Sequence, residues 1–250
     1  MKKSDAIFAG HSFLWIIVVI FIVTGALFYN TGYRIQNFSL VKTGSLTMTL
    51  PEPGTWVFIG GTPAHTSTSV SENITLPDIT PGKNIVTVIK KGYWPWAKHI
   101  TLTSGEHKTL YPFTLKKNIS ATPLTSSHPN YRDIYFRLYG NQNIVTTTYS
   151  TPENILVEAH ESTIMVSCDH VDPICTEEIE VSAPITSIAT YADNSRIVIY
   201  STAEKIVITE LSSLGGRISH TIYTGENLRF YKEKNILYIG DNRSIVRLAL

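Results

Sequence analysis

Two cysteines, a histidine and two aspartates fall within one octapeptide, Cys168-Asp169-His170-Val171-Asp172-Pro173-Ile174-Cys175. Two thiolates, an imidazole and carboxylates are donors that suit a zinc ion. Joined to each other, the same thiols would instead close a short loop holding Pro173 between two strands. They are the only two cysteines in the chain, and outside the cytoplasm thiols tend to oxidise. A Cys168–Cys175 disulfide is therefore the expected state and no metal is assigned, with free thiols and a zinc site as the other readings. A nucleophilic Cys168 assisted by His170 is the least favoured. Residues two apart on a strand share a face, but no third group or cleft accompanies them.

The second group with chemical potential is aromatic, Tyr93-Trp94-Pro95-Trp96. Large rings with a polar edge can stack on sugars or on protein surfaces when a corner exposes them. Tyr93, Trp94 and Trp96 are accordingly the candidate binding residues. Trp94 is the best placed to be exposed, and a core role is the stronger reading for Tyr93 and Trp96. Trp56 alternates with Phe58 within a strand and is expected in the core. His65, His99 and His107 are isolated in the sequence and expected to be solvated.

No Gly-rich phosphate loop, His-Glu-x-x-His pair, Gly-x-Ser-x-Gly elbow or Ca²⁺ loop occurs. Carboxylates are scattered, so no catalytic residue and no cofactor are assigned. Lys+Arg total 21 and Asp+Glu 20, a balance that excludes a basic nucleic-acid binder. An apolar fraction of 43% excludes a disordered chain.

The elements that must carry these groups begin with a membrane segment. No Asp, Glu, Lys or Arg occurs from Ala6 through Tyr33, and Phe13 to Val23 is unbroken apolar sequence. A span needs roughly 20 apolar residues, so residues 7–29 are expected to contact the membrane as a transmembrane helix. Lys2 and Lys3 bias the N-terminus to the cytoplasmic side and the bulk of the chain to the outside. Thr24-Gly25-Ala26 would suit cleavage of a signal peptide, but the apolar run continues past it through Leu27-Phe28-Tyr29, which favours an uncleaved anchor.

Beyond residue 35 helical periodicity vanishes, and Thr, Val, Ile and Tyr occur in short runs separated by Gly, Pro, Asn and Asp. Ser45 to Leu50, Thr55 to Ile59, Asn84 to Lys90, Lys98 to Thr103 and Thr109 to Leu115 read as strands of a small antiparallel sandwich. Pro81-Gly82 meets the demand of a type II turn, and Gly92 and Gly105 mark the next corners.

In this stretch the sequence resembles a PEGA domain. Gly44-Ser45-Leu46-Thr47-Met48, Pro51 to Gly61 and Thr62-Pro63 carry the first half of the resemblance. Ile79-Thr80-Pro81-Gly82, Lys91-Gly92-Tyr93 with Pro95-Trp96, Thr103-Ser104-Gly105 and Leu115 carry the second. The namesake Pro-Glu-Gly-Ala is here Pro51-Glu52-Pro53-Gly54-Thr55, and the stretch Thr62 to Glu72 is longer than the usual connection. The resemblance implies a PEGA-like β-sandwich over 40–116, an extracytoplasmic, envelope-associated module without known catalysis.

Residues 117–130 shift to Ser, Thr, Pro, Asn and His and read as a linker. Residues 131–250 then hold a weak repeat. Strand pairs begin at Asn154 and Thr163, at Arg196 and Lys205, and at Asn235 and Ser244, with offsets of 42 and 39 residues between the first members. A further strand ending in Tyr149, Tyr191 or Tyr231 precedes each pair. Such spacing matches the ~40–50 residues of a propeller blade, and about three blades are present, the last ending in its third strand. The fold expected is thus all-β beyond an N-terminal transmembrane helix, a PEGA-like sandwich followed by partial β-propeller-like repeats.

The function these features predict is a single-pass, membrane-anchored extracytoplasmic binding protein of the bacterial cell envelope, without catalysis. Its partners would be the membrane, an envelope protein or polysaccharide, and other copies of itself through the repeats, but not nucleic acid. An exported hydrolase with its site in a completed repeat domain and a purely structural spacer are the alternatives.

Overall fold

The computed structural model of the chain describes residues 4–36, 38–140, 149–150, 155–168, 177–191, 194–242 and 244–250. Helix α1 covers Ser4–Asn30, followed by strands β1 Tyr33–Gln36, β2 Ser39–Lys42, β3 Gly44–Leu50, β4 Trp56–Ile59, β5 Thr62–Thr66, β6 Glu72–Ile79 and β7 Gly82–Ile89. The middle of the chain forms β8 Tyr93–Trp94, β9 Trp96–Leu102, β10 His107–Leu110, β11 Leu115–Lys116, β12 Ala121–Pro123 and helix α2 Tyr131–Tyr139. Then come β13 Tyr149–Ser150, β14 Ile155–His160, β15 Thr163–Cys168, β16 Glu178–Glu180, β17 Ser187–Tyr191 and β18 Asn194–Ser201. The last strands are β19 Lys205–Glu210, β20 Ser219–Thr224, β21 Arg229–Glu233, β22 Ile236–Asp241 and β23 Ser244–Ala249. The all-β expectation beyond the N-terminal helix holds except for α2. Two compact units result, one of Met1–Val86 with Ile100–Pro112 and the other of Thr87–His99 with Phe113–Leu250. The chain therefore passes from the first to the second within β7, returns within β9, and passes again after Pro112.

Among the described residues no helix is long and apolar enough to cross a membrane, so the expected transmembrane span is not seen there. The side chains described in α1 run from Trp15 to Asn30. Along that stretch every side chain is exposed, Trp15, Phe21, Leu27 and Tyr29 among them.

The first unit holds three sheets, the two-stranded β1-β2, then β10-β3-β6 and β5-β4-β7-β9. In β3 the two-residue period is strict: Leu46, Met48 and Leu50 are buried while Ser45, Thr47 and Thr49 alternate with them. Ile74, Ile79, Val57, Val86, Ile100, Leu102 and Leu110 complete the core. Gly82 has φ +116°, as the turn after Pro81 requires.

Four expectations for this unit need correction. The sandwich is not wholly antiparallel, because β10 pairs parallel with β3. The chain reaches β10 from the other sheet and so enters at the same end as β3, where Gly105 N–H donates to Lys42 O at 3.1 Å and Ser45 N–H to Glu106 O at 2.9 Å. The strand expected from Thr109 to Leu115 is split into β10 and β11, with Pro112, which cannot donate to a ladder, between them. Trp56 is 55% exposed rather than in the core; Val57 takes the inward position, and the preceding Thr55 is buried through hydrogen bonds to Ser67 and Glu52. His65 is half-buried, its Nε2 2.9 Å from Glu72 Oε1, whereas His99 and His107 are exposed as expected, with His107 Nδ1 2.9 Å from Ser45 Oγ.

The second unit contains three four-stranded antiparallel sheets, β13-β14-β15-β16, β17-β18-β19-β20 and β12-β23-β22-β21. Each repeat pair read from the sequence is a hairpin of one sheet: Val157 pairs with Val166, Ile199 with Ile208, and Ile239 with Val246. The strands expected to end in Tyr191 and Tyr231 are β17 and β21, at one edge of the second and third sheets, while the residues leading up to Tyr149 lie outside the described residues. The first two sheets share a core of Ile155, Val157, Ile164, Val166, Ile188, Val198 and Val207. The second and third meet around β17 and β21, where Thr186 Oγ1 donates to Leu228 O at 2.7 Å and Phe230 N–H to Ser187 Oγ at 3.1 Å.

Here the linker expectation fails. Residues 121–123 form β12, whose partners are Leu248, Arg247 and Val246 of β23, so the third sheet has four strands rather than three. Tyr131–Tyr139 is helix because Ile134 and Leu138, one turn apart, bury one face against Leu124, Tyr238 and Ile245. Asp133 and Arg137 pair at 2.8 Å on the exposed side. One face of the third sheet is thereby covered by α2.

Candidate functional site

The aromatic corner lies in the second unit and is built by a short ribbon. In β8 and β11, Trp94 pairs with Leu115 and Tyr93 with Lys116. Gly92, at φ +85°, turns the chain into this ribbon, and its carbonyl accepts the N–H of Lys117 at 3.0 Å. Pro95 ends β8, and the chain then runs into β9.

Of the three candidate binding residues, Trp94 is exposed, Tyr93 half-buried and Trp96 buried, at 2%. Trp96 offers no face to a ligand and takes the core role instead. Its indole N–H donates to Glu210 Oε1 at 2.7 Å. Lys98, two residues on, directs its ammonium to Glu210 Oε2 at 2.6 Å and also to the carbonyl of Gly216. The N–H of Ile218 donates to Glu210 Oε2 at 3.2 Å, so both carboxylate oxygens are satisfied where water is scarce. Gly215 has φ +69°, and a Cβ there would stand 2.6 Å from the carbonyl oxygen of His99. Only glycine permits that approach, which the bond from His99 N–H to Gly215 O at 3.2 Å exploits.

Trp94 is thereby set on a rigid base. Its ring stacks on His220 of β20, with centroids 5.3 Å apart and planes 23° from parallel. Burial pushes the His220 imidazole below the usual histidine range, which favours the neutral ring in that stack. The Lys117 ammonium lies 5.7 Å from the Trp94 ring centre, and that of Lys90 4.9 Å from the Tyr93 ring centre. Lys91 and Lys116 are exposed alongside. Two aromatic faces flanked by four lysines suit flat, anionic, hydroxyl-rich ligands.

His220, Lys117, Lys98 and Glu210 were not singled out in the sequence. Lys98 did carry a signal, since it shares strand parity with Trp96, an inward position where an ammonium needs a partner. Cys175 and the side chain of Cys168 lie outside the described residues, and so does the expected disulfide. Among the described residues no three His, Cys, Asp or Glu side chains gather as a metal site would require.

No family model and no curated protein matches the chain. Among solved structures, one described as the extracellular domain of a one-component system from B. thetaiotaomicron is similar at 12% identity and a TM-score of 0.30. The match takes in 70% of this chain, which spans only 27% of that one. At that level of likeness the neighbour assigns neither fold nor role.

Proposed function

We propose that the chain is a membrane-anchored, extracytoplasmic binding protein of the bacterial envelope, without catalysis, whose ligand is an acidic polysaccharide held at Trp94. In this reading α1, with the charge-free run from Ala6 to Tyr33, is a single-pass anchor with its N-terminus in the cytoplasm. The first unit is a PEGA-like sandwich, and the three four-stranded sheets are propeller-like blades, the second of which supports Trp94 through His220 and Glu210. The observation that carries the proposal is the exposed Trp94 ring, stacked on His220 with the Lys117 ammonium 5.7 Å from its centre. A solvent-facing indole fixed in this way is what sugar stacking uses, and the ammonium groups select an anionic polymer.

The test is calorimetric titration of the full chain, held in lipid nanodiscs, with a polyuronate and with neutral dextran. Polyuronate binding that weakens with salt is expected. Trp94→Ala should weaken it roughly thirtyfold, the ~2 kcal/mol typical of a truncated aromatic anchor. Equal binding of dextran, or polyuronate binding that survives Trp94→Ala, would remove the site. A reporter active only outside the cytoplasm, fused after Leu250, should be active, and an inactive fusion would reverse the topology.

A further inference from the structure

The turn between β1 and β2 places a phenylalanine where the fold gives no reason for one. Phe38 is fully exposed and has φ +62°, a region that bulky residues rarely adopt and that glycine or asparagine reaches at less cost. Neither burial nor backbone preference selects Phe at this position. Its neighbours are also apolar: Ile35 is 80% exposed, and Leu40, directly opposite it in the register, is exposed as well. Tyr33 is two residues from Ile35 along β1 and therefore on the same face.

This apolar strip continues onto the helix. The Tyr33 ring meets Phe28 of α1 edge-on, with centroids 5.4 Å apart. The hairpin is also held firmly in place. Arg34 lies over the Tyr29 ring at 3.8 Å, donates to Tyr29 O at 2.7 Å and pairs with Asp78 at 3.0 Å. Thr43 donates from both its N–H and its hydroxyl to Gly32 O, each at 2.8 Å. Exposed apolar side chains on a fixed hairpin, joined without a break to the exposed apolar surface of α1, share whatever medium covers that helix.

We propose that the β1–β2 hairpin lies in the lipid interface beside α1, with Phe38, Ile35 and Leu40 inserted among the outer-leaflet chains. The proposal rests on the reading of α1 as a membrane anchor. Burying the three side chains fixes the tilt of the first unit on the bilayer as well as its attachment. Arg34 and Lys42, at the base of the hairpin, fall at headgroup level.

The full-length chain in vesicles of phosphatidylethanolamine and phosphatidylglycerol is the material for the test. Photoreactive p-benzoylphenylalanine replaces Phe38, Phe21 or Val70, one at a time, and the adducts are identified by mass spectrometry. Phe38 is uncovered by protein and the replacement is also aromatic, so folding is not at stake. Val70 is exposed and apolar too, but it lies beyond the opposite end of β3, ~20 Å away at ~3.4 Å per residue. Lipid adducts are expected at positions 21 and 38 and not at 70. Lipid at 21 without lipid at 38, or an adduct at 38 with a second protein chain, overturns the hairpin proposal and leaves the anchor standing. Absence of lipid at 21 overturns the anchor, and the hairpin proposal with it. Equal lipid capture at 38 and 70 also overturns it, since the capture would then be non-specific.

Discussion

The ammonium of Lys98 sits 2.6 Å from Oε2 of Glu210, with both side chains almost wholly withdrawn from water. Isolated charges do not survive such surroundings, and the pair persists because Trp96, Ile218 and Gly216 satisfy what the ion pair leaves over. The segment carrying the aromatic corner is thus fixed to the second sheet by a polar lock and not only by apolar packing.

Removing one half of the lock should be costly. Lys98→Ala strands a buried carboxylate, and a loss of about 3–5 kcal/mol is expected in the unfolding transition of the second unit. Lys98→Met combined with Glu210→Gln keeps an oxygen for the Trp96 indole and should recover most of that loss. Chemical denaturation of the wild type, the single variant and the pair measures it, and a double variant as unstable as the single one would contradict the account.

A second expectation concerns alkaline pH. The Tyr223 phenol donates to Asp241 Oδ2 at 2.8 Å, and burial, then the hydrogen bond and charge of Asp241, push its pKa up to about 12. A raised pKa means that the folded state holds the proton more tightly than the unfolded one. The contribution is complete below pH 10, the unfolded value, and is lost as pH rises toward 12. Tyr223→Phe should flatten that part of the stability profile, and one phenol should vanish from the late phase of a phenolate absorbance titration.

The third expectation uses two fragments. Residues 131–250 lack β12 and Leu124, which leaves the edge of β23 unpaired and the α2 core incomplete. Residues 118–250 retain both. Sedimentation should find the shorter fragment self-associated and the longer one distinctly less so. Two fragments that behave alike would show that β12 is dispensable. Both lack Trp96 and Lys98, so each should melt well below the full chain.

Much of the strand order was legible because alternation marks it: Leu46-Thr47-Met48-Thr49-Leu50 can bury only one face. The repeat hairpins were legible for a different reason, since Val, Ile and Tyr recur at near-constant spacing. What escaped is what such periods do not encode. Strand β12 is three residues long and ends in Pro123 within a polar stretch, so only its partner reveals it. Helix α2 shows two buried apolar positions among tyrosines and charges, too few for a helical stripe to stand out. Trp94 could be singled out as an exposed ring, but His220 and Lys117 join it only through long-range pairing. Glu210 ends a strand that is otherwise Lys-Ile-Val-Ile-Thr, and nothing local shows that its carboxylate turns inward.

The passage of the chain out of the first unit at Val86 and back at Ile100 bears on how the molecule can be taken apart. Neither unit is a continuous stretch of sequence, so no single proteolytic nick or gene-fusion junction releases one intact. A recombination event that moved residues 1–112 into another protein would carry off residues 87–99, and with them the Trp96 and Lys98 that Glu210 requires. Engineering either half therefore requires rewriting the chain at all three crossings, after Val86, after His99 and after Pro112.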